Sequence, residues 1–88
     1  MIAIDATPLI DPRPGGVRRA LVELLRGLAV VPDRPRVHLV APGPLEVPVP
    51  DLDGVHVPPE GRMPVGRFRR RFLPRTLSRL GARALFVP

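Results

Sequence analysis

Residues 15–28 read Gly-Gly-Val-Arg-Arg-Ala-Leu-Val-Glu-Leu-Leu-Arg-Gly-Leu, and no other stretch of this 88-residue chain limits its fold so sharply. Apolar side chains recur at Val17, Leu21, Leu24, Leu28 and Val31, with Ala20 and Leu25 beside them. Steps of three and four residues gather them into one stripe along a helix, which must be buried against a second layer. Arg18, Arg19, Glu23 and Arg26 are left for the outer face or the first turn. The helix is expected from about Gly16 to Val30, closed by Pro32 and Asp33. A short apolar run, Met1 to Ile4, precedes it, and a loop holding three prolines lies between.

The remaining elements follow from periodicity and breakers. Fourteen prolines among 88 residues is about three times the usual share, so much of the chain must be loop or strand edge. Met1 to Ile4 reads as a buried strand that ends at Asp5, and Arg36 to Ala41 as a second strand stopped by Pro42-Gly43-Pro44. Residues 42–54 read as surface loop, and Val55 to Val57 as a short third strand. A second helix is expected over about Arg67 to Leu80, with Phe68, Phe72, Leu73, Leu77 and Leu80 on one side. Pro74 lies inside it and either kinks the helix or starts a new one at its first turn. Gly81 suits a helix terminator, and Ala84 to Val87 reads as a fourth strand. Apolar strands alternating with amphipathic helices predict an α/β fold: a partial Rossmann-like, open and mostly parallel sheet of about four strands and two helices. Eighty-eight residues make one small domain, and an open apolar edge predicts a marginal or partner-dependent core.

Composition narrows the function classes. Without cysteine there is no disulfide and no thiolate metal site. Asp5 interrupts the N-terminus too early for a signal peptide, and no apolar run approaches a membrane span. A cytoplasmic chain, at most peripheral to the inner face of the membrane, is the expectation. All fourteen cations are arginine. Residues 1–61 carry a net −2, whereas residues 62–88 hold eight arginines and no acid. Arg69, Arg70, Arg71 and Arg75 therefore surround a Phe/Leu face. They read first as a solvated surface, then as an anion or anionic-membrane contact. Three phenylalanines without Tyr or Trp, and no recognisable motif, argue against nucleic acid.

Ligands of open parallel sheets bind beyond the carboxyl ends of the strands. Asp5, Thr7 and the Gly15-Gly16 turn should lie there. Gly15 and Gly16 let backbone approach a ligand closely, and the free amides of the first helical turn favour a phosphate. The alternative is a turn that needs permissive backbone angles. Asp5 either binds a ligand hydroxyl or caps the following turn. Arg19 stands four residues before Glu23, spacing for a weak surface pair. His38 and His56 each sit alone between apolar neighbours, so neither a metal nor another cofactor is expected, and no residue stands out as catalytic.

Taken together, Ile2-Ala3-Ile4-Asp5, the Gly-Gly-Val-x-Arg-x-Leu-x-Glu-Leu-x-Arg-x-Leu run and Val37-His38-Leu39-Val40 resemble the N-terminal domain of family 4 glycosyltransferases. Phe72-Leu73-Pro74-Arg75-x-Leu77-x-Arg79-Leu80-Gly81-Ala82 is similar to a helix before the fourth strand in that family. The resemblance spans most of the chain outside residues 42–54 and 58–66. It implies a retaining enzyme of GT-B architecture, using a nucleotide-sugar donor and a glycan or lipid-linked acceptor. Gly15 and Gly16 would lie close to the donor's phosphates or the acceptor, and Arg19 matches an arginine often found in this helix. Ala20 stands where the family frequently has histidine, and Ala82-Arg83-Ala84-Leu85-Phe86 replaces its Ala-Asp-x-x-His. The donor is held mainly by the family's C-terminal domain, which these residues do not include. The chain is thus expected to be a fragment, inactive in isolation. The rival reading is a small non-catalytic basic module that binds an anionic membrane surface or nucleic acid.

Overall fold

Strand β1 (Ile2–Asp5) lies in the middle of the sheet, which is why its side chains are apolar on both faces. In the computed structural model, which describes residues 1–11, 15–50 and 52–88, four parallel strands are ordered β3-β2-β1-β4. The others are β2 (Val37–Val40), β3 (Gly54–His56) and β4 (Ala84–Phe86). Ile2 and Ile4 pair with Val37 and Leu39 on one side and with Ala84 and Phe86 on the other. The fold is the expected α/β open parallel sheet.

Strand alternation then assigns the helices. Ile4, Val37, Leu39 and Ala41 point to the layer of helix α1 (Gly16–Ala29), where Leu21, Val22 and Leu25 complete the core. Ala3 and Val40 point the other way, against Phe68 and Leu73. The connection from β1 to β2 steps in one direction across the sheet, and that from β3 to β4 steps back past β2 and β1. Crossovers of one hand therefore fall on opposite faces.

Helix α2 covers that second face. It starts two residues earlier than expected and joins three segments: Val65–Arg67 (α), Phe68–Phe72 (π) and Leu73–Leu80 (α). Pro74 neither breaks nor starts it. The Leu73 amide donates to the Phe68 carbonyl five residues back, giving a wide turn just before the proline. A wide turn relieves the clash of the ring with the preceding carbonyls and accommodates its missing amide. It also lets Phe68 and Leu73, five apart, face the sheet together. Gly81 ends the helix at φ 67°, its amide donating to the Leu77 and Ser78 carbonyls, and the Ala82 amide also reaches Leu77.

The β2–β3 connection corrects the expectation of a surface loop. Prolines at 42, 44, 48 and 50 forbid a helix there. Leu45, Val47, Val49 and Leu52 nevertheless pack on the α1 core, and the Glu46 amide donates to the Leu9 carbonyl at 2.8 Å. This extended segment lies on the same core as α1. At the opposite edge, β4 pairs only with β1, and Leu85, Phe86 and Val87 are exposed.

Phe68 is wholly buried between α2 and the sheet. Phe68→Ala is expected to cost about 3–5 kcal/mol, measured by urea unfolding, because a ring-sized cavity would remain under α2.

Candidate functional site

The carboxyl end of β1 carries a buried charge. Asp5 is 1% exposed, and a carboxylate there must find donors. Its Oδ1 accepts the Thr7 amide at 3.0 Å and the Thr7 hydroxyl, while Oδ2 accepts Nε of Arg69 at 3.2 Å. The first pair caps the turn that follows, a 3-10 segment over Thr7–Leu9 opened by Pro8. Of the two roles open for Asp5, capping is the one its geometry fills. The second bond ties α2 to the central strand across 64 positions of sequence.

These groups line a hollow of about 300 Å³, with Ile10, Arg62 and Pro88 among its walls. Arg62, not singled out in the sequence, is held by two features. The Met63 amide donates to the Pro42 carbonyl at 2.8 Å, and a Cβ at Gly43 would come within 3.1 Å of the Arg62 side chain. Spacing gave no signal for Arg62, because the loop that brings it here is fixed by contact with residues 42 and 43.

Gly15 and Gly16 line a different hollow, of about 350 Å³, with Arg18 and Arg19. Among the described residues the two hollows share no lining residue, so Asp5 and the glycine pair line different hollows. Gly15 is the N-cap of α1 in ordinary extended geometry, φ −168°, and gives the helix no side-chain cap. A Cβ at either glycine would meet nothing within 4 Å. Permissive backbone angles therefore do not account for Gly15, and crowding within the described residues accounts for neither glycine. The bare helix terminus itself can receive an anion through its amides. Arg19 flanks this terminus, and Glu23 pairs with Arg26 at 3.2 Å rather than with Arg19.

Arg70, Arg71 and Arg75 are exposed as expected, but Arg69 is committed to Asp5. The apolar side of α2 is also spent: Phe68 and Leu73 are buried, with Phe72 and Leu77 packed beside them. An anionic surface would meet guanidinium groups alone, without a greasy face to insert. No helix among the described residues is long and apolar enough to cross a membrane.

His38 and His56 are not isolated. Parallel pairing sets His38 opposite Gly54 and Val40 opposite His56, and His38 Nδ1 lies 2.9 Å from His56 Nε2. A Cβ at Gly54 would sit 2.9 Å from the same Nδ1, so glycine makes room for the pair. Burial lowers the His56 pKa, with further depression from the charges of His38 and Arg79. Beside them, Asp53 is held below its usual range by the Val37 amide and then by Arg34. Only strand register reveals this contact, since 18 positions separate the rings.

Neither protein-family models nor curated proteins nor solved structures yield a match to this chain.

A depressed folded-state pKa means that the unfolded chain binds more protons at His56. Its contribution to stability is present above the ordinary value of 6.5 and is lost as pH falls through the folded pKa. Unfolding free energies between about pH 7.5 and pH 5 should decline, and His56→Gln should flatten that slope. An unchanged slope would remove His56 as its source.

Proposed function

We propose that this chain is the N-terminal part of a retaining glycosyltransferase that moves a sugar from a nucleotide-sugar to an acceptor, on the cytoplasmic side. One observation carries the reading: an uncapped helix opens on two glycines beside the carboxyl end of a parallel sheet ordered β3-β2-β1-β4. The helix amides would meet the donor's phosphates, with Arg19 at the rim of the same hollow. The Asp5–Thr7–Arg69 group would face the acceptor side. Asp5, with both oxygens engaged and 1% exposed, acts as an anchor for Thr7 and Arg69 rather than as a proton acceptor. Transfer also requires that the departing diphosphate be neutralised and an acceptor hydroxyl be held in line. By this reading a facing domain supplies those groups, and the 88 residues alone turn over no donor.

The test uses the polypeptide as its native host makes it, captured with an antibody to these 88 residues. Its mass is expected well above 9.6 kDa, with release of nucleoside diphosphate from a nucleotide-sugar. Gly16→Leu should abolish that release, because the open space at residue 16 is where the phosphate would approach. Undiminished turnover would sink the site assignment.

The second reading, a basic module on an anionic surface, is favoured by the exposed Arg67, Arg70, Arg71 and Arg75. With no apolar face to insert, binding to phosphatidylserine vesicles should be strong at low salt and lost near 0.5 M, the order of salt that shortens the Debye length to a few ångströms. Retention at high salt, or no binding at low salt, would contradict a purely electrostatic contact.

A further inference from the structure

We infer that the hollow beside Asp5 is an oxyanion site that takes a single phosphate group through the guanidinium groups of Arg62 and Arg69. The inference stands on the local geometry and not on the transferase reading. Arg69 gives only Nε to Asp5, which leaves its terminal nitrogens for a ligand. Arg62 has no hydrogen-bond or ion-pair partner among the described residues, yet its stem is seated against Gly43 and its loop is pinned to Pro42. Two guanidinium groups thus border one hollow of about 300 Å³ from two elements, the loop before α2 and α2 itself.

Charge and bonding capacity select the ligand. Asp5 is neutralised by Arg69 and occupied on its other oxygen by Thr7. Asp11, at the rim, has interactions of its own. The groups still open are therefore mostly donors, and a phosphate offers acceptors matched to planar guanidinium forks. A neutral polyol would leave most of these donors without a strong acceptor. Residues 62–88, with eight arginines and no acid, add a positive field around the hollow. Pro8, Ile10, Val65 and Pro88 complete the lining.

The experiment titrates inorganic phosphate, glycerol 3-phosphate and glycerol separately into isotope-labelled protein. It follows the Thr7 amide and the arginine Nε–H signals by NMR. Both phosphates should saturate, with shifts at Thr7, Arg62 and Arg69, and glycerol should not bind. Arg62→Gln is expected to weaken phosphate about tenfold, the loss of one charge-assisted contact. Arg62 is an exposed loop residue, so this variant leaves the Asp5–Arg69 pair and the fold in place, as its amide spectrum would show. Arg75→Gln, on the same helix as Arg69 but outside the hollow, should change affinity less than about twofold. Tighter binding of the ester than of free phosphate would identify a phosphorylated ligand as the source, and equal binding a free oxyanion; either result retains the site. Equal losses in the two variants, binding of glycerol, or shifts that never reach Thr7 would overturn it.

Discussion

A carboxylate buried at the end of the central strand has to be satisfied, and the arrangement of both layers around it follows from how Asp5 achieves this. One oxygen is taken up within two residues by Thr7, which turns the chain sharply after β1. The other is met by Arg69, which fixes the rotation of α2 about its own axis. The Arg69 side chain is half exposed, so solvent screens the pair and limits what it adds to stability. The contact therefore specifies the docking of α2 more than it stabilises it.

That docking has a consequence for charge. With Phe68 and Leu73 pressed on the sheet, the arginines of α2 lie towards solvent, and Arg69 reaches Asp5 from the edge of that exposed face. The helix meets this demand despite Pro74 because its π turn inserts one extra residue per turn where the proline would otherwise collide. A regular α-helix would place Phe68 in line with Phe72 and not with Leu73. The wide turn is thus the local adjustment that makes the buried face continuous, and the exposed arginines are its complement.

Three groups around the sheet's rim show how position decides chemistry. The glycine pair leaves bare backbone at a helix terminus, the Asp5 hollow gathers two arginines, and the histidines meet on the outer strand pair. The turn after β1 and the start of α1 at Gly16 were legible, because breakers and apolar periodicity set both. Arg62 and the histidine pair were not. Arg62 is placed by a loop that rests on Gly43, and the rings are joined by a register that leaves Gly54 between them.

The periodicity of residues 17–31 and the apolar run at the N-terminus determine the class of fold by themselves, since a helix stripe and a two-faced strand can be buried only as layers. The end of α2 was likewise written in Gly81, whose left-handed backbone few other residues adopt. Tertiary structure alone decided the rest. Residues 42–50 carry turn chemistry, yet they pack on the core because a parallel β2–β3 connection must cross a sheet face that needs cover. Arg69 reads locally as one more solvated cation. It pairs instead with a buried carboxylate 64 positions away that requires a donor, and no local pattern encodes a partner at that separation.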